Sequence, residues 1–263
     1  MSTREEDYPA SYDGLVRLVE RLRGPDGCPW DREQTHSSVK RLLLEECYEL
    51  IEAVELGDPR KMVEELGDVL FHVVFQIQIA KDEGAFSEAQ VLGTLVEKLM
   101  RRHPHIFGDE TVADAREVEA NWDAIKRRER EGTDASILNG VPKQMPALSY
   151  AQAVQARAAR SGFDWNDFAG VVEKVAEELD ELAGADSDAE RQHELGDLLF
   201  SMVNAIRWLG VDAEGALRQS NSRFFRRFAA MERLSGERSL AFSDLSLDEK
   251  EALWQEAKAL EGP

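Results

Sequence analysis

The run Glu177-Glu178-Leu179-Asp180-Glu181 is followed, after a short gap, by Glu194-Leu195-Gly196-Asp197. An earlier copy reads Glu45-Glu46-Cys47-Tyr48-Glu49 and then Glu65-Leu66-Gly67-Asp68. Each copy places acids three and four residues apart on one helix and two more three apart on the next, a spacing that gathers the side chains on one face. Like charges stacked on a face destabilise a helix, so a cation is the natural reason to collect them. Four carboxylates from two facing helices (Glu46, Glu49, Glu65 and Asp68, or Glu178, Glu181, Glu194 and Asp197) make a hard, all-oxygen site suited to Mg²⁺, with Mn²⁺ as a substitute. A solvated acidic face is the plain alternative in a chain with 52 acidic residues. The recurrence of the whole arrangement favours the metal site.

The elements that carry these acids read almost entirely as helix, and no alternating stretch of strand length competes. Asp13 is placed to cap a helix through about Arg23, ended by Gly24-Pro25, and residues 24–35 read as a loop. A long helix then runs to Glu55, with Gly57 as its stop. Asp58-Pro59 opens the next, which continues to about Glu83 and Gly84. Ser87 with Gln90 forms a capping box for a helix through Arg101, which His103-Pro104-His105 breaks, and another covers about Asp114 to Glu131. Residues 132–146 read as a linker rich in Gly and Pro. Five further helices are expected over about 147–159, 167–183, 188–209, 212–234 and 247–260, the last with Ser246 and Glu249 as a capping box.

The two halves, 1–131 and 147–263, are a tandem repeat. Trp30 in Cys-Pro-Trp-Asp matches Trp165 in Phe-Asp-Trp-Asn, and the acids match in order. Lys98, Arg101 and Arg102 match Arg223, Arg226 and Arg227, and Trp122 with Lys126 matches Trp254 with Lys258. Each half therefore offers carboxylates for a metal, a basic cluster able to clamp phosphates and a flat aromatic face on which a base can stack. Together these specify a nucleoside polyphosphate. Salt bridging to the acidic faces and plain packing are the alternative roles of the basic residues and of the tryptophans.

The chain has no Gly-x-x-x-x-Gly-Lys-Ser/Thr loop and no nucleophilic Ser or Cys elbow, so direct attack by water is the economical mechanism. Glu45 and Glu177, the extra acid before each Glu-x-x-Glu, are the candidates for general base. Glu33 with His36 and Glu190 with His193 share the Glu-x-x-His spacing of di-iron bundles, a lesser alternative. The net charge of −20 excludes a surface made for a phosphate backbone. Two cysteines fit a reducing cytosol, the acidic start fits no signal peptide, and the apolar runs are too short to span a bilayer. A cytoplasmic protein without nucleic-acid or membrane partners is expected.

Glu46-x-x-Glu49 with Glu65-x-x-Asp68, their second copies, Gly27-Cys28-Pro29-Trp30-Asp31 and Arg101-Arg102-His103-Pro104-His105-Ile106-Phe107 resemble the MazG nucleotide pyrophosphohydrolases over about residues 15–260. The resemblance implies an all-α fold of four-helix-bundle type, related to the dimeric dUTPases and phosphoribosyl-ATP pyrophosphohydrolases. It also implies a homodimer whose bundles are completed by the partner chain. The implied reaction is Mg²⁺-dependent hydrolysis of a nucleoside triphosphate between the α and β phosphates, giving a monophosphate and pyrophosphate. Carried over by position, it makes Glu178, Glu181, Glu194 and Asp197 metal ligands, and Lys174, Glu177, Arg223, Arg227 and Trp254 nucleotide contacts. The first-half matches are Glu46, Glu49, Glu65, Asp68, Lys98, Arg102 and Trp122. Two positions depart from the pattern: His193 stands where an acid is frequent, and Arg223 where a Lys is. The runner-up function is a nucleotide-sensing protein that holds metal and nucleotide without turnover.

Overall fold

The computed structural model describes residues 8–129 and 136–261, and these form helices with no strand among them. The chain divides into two compact units, Met1–Glu129 and Arg130–Pro263. Among the described residues no helix is long and apolar enough to cross a membrane.

In the first unit the helices are α1 (Tyr12–Arg23), α2 (Pro29–Glu33), α3 (His36–Leu56), α4 (Pro59–Asp82), α5 (Glu88–Arg102), α6 (Pro104–Phe107) and α7 (Ala115–Arg128). Local chemistry sets their ends. Thr35 and Ser38 form a capping box for α3, Gly57 closes it in the left-handed region at φ 64°, and Asp58 caps α4 through the N–H groups of Arg60 and Lys61. Glycine tolerates that φ without a Cβ penalty, so α3 and α4 fold back as a tight pair. α1 lies across α4 and supplies Val19 to a core with Val39, Val74, Phe75 and Ile79. α5 touches α4, and α7 packs on α5.

The second unit repeats this plan. It contains α8 (Ala147–Arg160), α9 (Phe168–Gly184), α10 (Asp188–Trp208), α11 (Ala213–Glu237), a 3-10 turn (Phe242–Asp244) and α12 (Leu247–Glu261). α9 and α10 form the central pair, α8 packs on α10, and α12 covers α11 around Met231, Leu234, Leu253 and Ala257.

The structure adjusts several expectations. Ser11 rather than Asp13 caps α1, accepting from the Gly14 N–H at 3.1 Å, because Asp13 already lies inside the first turn. The stretch 24–35 is not all loop: Pro29 at the first helical position opens the five-residue α2. Pro104 likewise restarts a single turn, α6, after the break at His103. Of the expected linker 132–146, positions 132–135 lie outside the described residues, and 136–146 are turns without helix.

Candidate metal and nucleotide site

The α9–α10 pair carries the second acid cluster. Glu178 and Glu181 stand one turn apart on α9 and face Glu194 on α10, and one carboxylate oxygen from each lies within 4.8 Å of the others. Glu178 is 4% exposed, and its Oε1 meets Lys174 Nζ at 2.8 Å while its Oε2 is buried with no hydrogen-bond partner. A buried carboxylate oxygen left unpaired is costly, and converging carboxylates add repulsion, so this donor set fits a hard divalent cation. Glu177 stands outside the cluster, accepting from Lys174 at 2.8 Å. Those hydrogen bonds to Glu177 and then Glu178 hold the Lys174 ammonium well above the usual lysine range. Asp197 is not in the convergent trio and instead lies 3.4 Å from His193 Nε2.

Beside this cluster opens a cavity of about 670 Å³. Glu178, Lys174 and Asp197 form one part of its wall, and Phe163, Trp165, Val171 and Phe200 form an apolar part. Gln155, Ala158, Ser201, Asn204 and Arg207 are also in its wall. The size and the mix of apolar wall with few polar groups suit a small organic ligand. Arg207 donates from Nε and Nη2 to Asn204 Oδ1 at 3.0 and 2.8 Å, and from Nη2 to Asp164 Oδ1 at 2.6 Å. Burial pushes the Asp164 carboxyl up, but Arg207, the Trp208 indole and the Trp165 N–H more than offset it and hold it below the usual range.

The α3–α4 pair carries the first cluster, where oxygens of Glu46, Glu49 and Glu65 also lie within 4.8 Å of one another. Desolvation first, then Glu49, Glu64, Asp68 and Glu46, raise the Glu65 carboxyl above its usual value. Glu45 sits 3.9 Å from Arg41 on an exposed face, outside the trio.

The residues that line the large cavity of the second unit have different counterparts in the first. Lys174 is matched by Leu42 and Asn204 by Phe75, both of which belong to the first core. Ala158 and Arg23 precede Trp165 and Trp30 by the same spacing. Arg23 donates to Asp82 at 2.7 Å and to the Asp31 carbonyl at 2.6 Å, with its guanidinium 5.2 Å from the Phe75 ring centre. A cavity of about 160 Å³ in this unit lies elsewhere, between α1, α4 and α5.

The basic clusters are not brought to the cavity. Arg223, Arg226, Arg227, Trp254 and Lys258 stand on α11 and α12, and none of them lines it. Trp254 packs on the second core and against Phe224, with Arg227 over its ring at 5.7 Å. In the first unit Arg101 and Arg102 both donate to Glu129, at 2.7 and 2.6 Å, and Arg102 and Lys126 flank the Trp122 ring. Lys98 is on α5, a turn before them. Within their own units Arg101 and Arg102 make salt bridges, and Trp122 and Trp254 make ring contacts. Two members of the Glu-x-x-His pairs have other partners. Glu190 Oε2 accepts from the Asp186 and Ser187 N–H groups at 3.0 Å as a helix cap, and His36 bonds Gln76.

Trp165 was marked by its match to Trp30, but Asn204, Arg207 and Ser201 belong to no motif. Comparing the two repeats position by position finds them, because Asn204, Arg207 and Ser201 correspond to Phe75, Gln78 and His72 in the other copy.

The MazG nucleotide pyrophosphohydrolase domain matches residues 34–107. The chain is 46% identical over 247 residues to the nucleoside triphosphate pyrophosphohydrolase/pyrophosphatase MazG of Thermotoga maritima, across 94% of this chain and 95% of that protein. It is 41% identical over 256 residues to the nucleoside triphosphate pyrophosphohydrolase of Escherichia coli K12, across 95% of this chain and 97% of that one. A Bacillus subtilis protein, YabN, is 45% identical over 248 residues that make up 51% of its length. A helical pair presenting convergent carboxylates is the class of site seen here, and the chain belongs to the MazG nucleotide pyrophosphohydrolase family.

Proposed function

We propose that the chain hydrolyses nucleoside triphosphates between the α and β phosphates, releasing a nucleoside monophosphate and pyrophosphate, and that the second unit does most of this. The observation that carries the proposal is that Glu178 belongs both to the convergent acid trio and to the wall of the large cavity. The names of the full-length relatives support the reaction class.

Glu178, Glu181, Glu194 and Asp197 would hold Mg²⁺, with Mn²⁺ as a substitute. Such an ion supplies charge neutralisation at phosphate oxygens and a more acidic water. The protein's own groups do the rest. Trp165, Phe163 and Phe200 offer flat or apolar surface to a base, and the Asn204 amide is fixed by Arg207. Lys174, held protonated by its two glutamates, is available to a phosphate oxygen once a cation takes over Glu178. Glu177, next in line and outside the trio, is the general base. In the first unit Glu46, Glu49, Glu65 and Asp68 are the matching ligands and Glu45 the matching base, but Arg23, Phe75 and Leu42 stand at the positions of the cavity residues Ala158, Asn204 and Lys174.

We assign the chain to a homodimer, with domains 1–131 and 147–263 joined by 132–146. On α4, Val63, Leu66, Leu70 and Val73 are spaced along one face and exposed, Val63 by 74%, and Leu195, Leu199 and Met202 are exposed on α10. Apolar helix faces of this kind need cover, which a partner chain would supply. The same partner would bring Arg223, Arg226, Arg227, Trp254 and Lys258, or Lys98, Arg101, Arg102, Trp122 and Lys126, towards a cavity they do not reach within their own unit. A cytosolic location fits the two free cysteines.

Incubation with ribo- and deoxyribonucleoside triphosphates plus Mg²⁺, with separation of products, tests the reaction. Monophosphate and pyrophosphate in equal amounts are expected. Diphosphate with inorganic phosphate would place cleavage at another bond, and no product across the panel would leave a nucleotide-binding protein.

A further inference from the structure

Two side-chain amides in the wall of the large cavity are turned in opposite senses, and neither belongs to the acid cluster. Gln155 comes from α8 and Asn204 from α10. Gln155 is 7% exposed; its Nε2 donates to the Phe200 carbonyl at 2.8 Å, and its Oε1 is buried with no hydrogen-bond partner. The reverse orientation would set two oxygens against each other, so the Phe200 carbonyl decides that Gln155 keeps an acceptor in reserve. Asn204 is held the other way round. Its Oδ1 accepts from Arg207 Nε at 3.0 Å and from Nη2 at 2.8 Å. Arg207 is fixed in turn by Asp164 Oδ1, which accepts from Nη2 at 2.6 Å and from the Trp208 indole at 3.0 Å. A guanidinium carries only donors, so it takes the oxygen end of Asn204 and leaves the Nδ2 donor as what this residue can offer a ligand.

The two amides are neighbours. Phe200 and Asn204 stand one turn apart on α10, so the Gln155 amide, seated on the Phe200 carbonyl, lies within a turn of Asn204. The cavity therefore offers one acceptor beside one donor, next to the apolar wall of Phe163, Trp165 and Phe200. Such a pair complements the pairing edge of a nucleobase, where a ring nitrogen adjoins an amino or oxo group: N3–H beside O4 in uracil, or the amino group beside N3 in cytosine and N1 in adenine. A buried acceptor left unpaired is costly until a ligand supplies a donor, so the contact favours bases that keep this edge. The first unit differs at both positions. Glu20 precedes Trp30 by the spacing at which Gln155 precedes Trp165, and it accepts from Lys81 at 3.0 Å, while Phe75 replaces Asn204.

We infer that Gln155 and Asn204 are specificity-determining residues, which select nucleotides by an unalkylated pairing edge and leave C5 of a pyrimidine unread. This rests on the reading that the cavity of the second unit holds the nucleoside.

Nucleoside monophosphates, titrated into the full chain in Mg²⁺ and followed by calorimetry, report the base contact apart from any turnover. UMP should bind, with 5-methyl-UMP within about threefold of it. Methylation at N3 removes the donor that Gln155 Oε1 would take, so 3-methyl-UMP should bind at least about tenfold more weakly. Asn204→Asp keeps the acceptor for Arg207 and turns the neighbouring donor into a second acceptor. Guanine, with N1–H beside its amino group, presents two adjacent donors, so the preference for GMP over UMP should rise at least about tenfold in this variant. Equal affinity for UMP and 3-methyl-UMP would overturn the inference, and an unchanged preference in a folded Asn204→Asp would overturn the part given to Asn204. No binding of any monophosphate would overturn the cavity as the nucleoside site, and the inference with it. Discrimination against 3-methyl-UMP with no triphosphate hydrolysed would uphold the base contact and remove the reaction instead. The methyl comparison uses the unaltered protein, so a variant that fails to fold does not decide the outcome.

Discussion

Replacing Glu178 by Gln should stabilise the protein in chelator and destabilise it, relative to the parent, in Mg²⁺. The side chain is 4% exposed and keeps one oxygen unpaired. Leaving a buried acceptor unsatisfied costs about 1–3 kcal/mol, more when it is charged. An amide of the same shape removes the charge from that environment. Lys174 is not stranded by the change, because Glu177 still accepts from it at 2.8 Å. The net gain without metal is therefore about 1 kcal/mol, or about 2–4 °C in melting temperature for a protein of this size. In the parent, Mg²⁺ at a hundred times its dissociation constant adds about 2.7 kcal/mol. The variant should forfeit most of that. Calorimetric melts in EDTA and in Mg²⁺ would then cross: variant above parent in chelator, parent above variant in Mg²⁺. A variant that melts lower in EDTA, or that gains as much from Mg²⁺ as the parent, would refute the reasoning.

Ala158→Arg, which copies the first unit's Arg23 into the second, should raise KM for nucleotide at least tenfold while leaving Mg²⁺-dependent stabilisation in place; steady-state kinetics alongside melts would show it. Glu129 is held down to about 2, chiefly by the hydrogen bond from Arg102, against an ordinary value of 4.5. Its contribution is thus complete above about pH 5 and is lost as pH falls towards 2. Glu129→Gln should cost about 1 kcal/mol at neutral pH, a surface-pair magnitude, and the gap in urea stability between variant and parent should close on acidification. Light scattering at micromolar concentration should report the mass of two chains, and a monomer would remove the partner-completed site.

Much of the fold was legible because helix ends obey local rules. Gly57, Asp58, Ser87, Asp167 and Ser246 each act as their side chains or φ preferences require. α2 escaped because five residues carry no periodicity, and only Pro29 hinted at it. The acid trios were legible because spacing on a helix decides which side chains share a face. The cavity was not, since it arises from what is missing: a methyl at Ala158 where Arg23 has a guanidinium, and an amide at Asn204 where Phe75 has a ring. The basic clusters were read as phosphate clamps, yet α11 and α12 pack chiefly on each other, so nothing local could tell where those side chains point. Val73 and Phe75 stand two residues apart in one apolar run and divide in the structure: Phe75 is buried in the first core and Val73 is exposed.

Pyrophosphate release by Glu178→Gln and by Glu46→Gln, measured side by side at saturating Mg²⁺ and nucleotide, tests most directly whether the second unit carries the reaction. Loss of a metal ligand there should lower turnover by well over tenfold, more than about 1.4 kcal/mol of barrier, while Glu46→Gln leaves most of it intact. Activity abolished by Glu46→Gln and unchanged by Glu178→Gln would contradict the assignment.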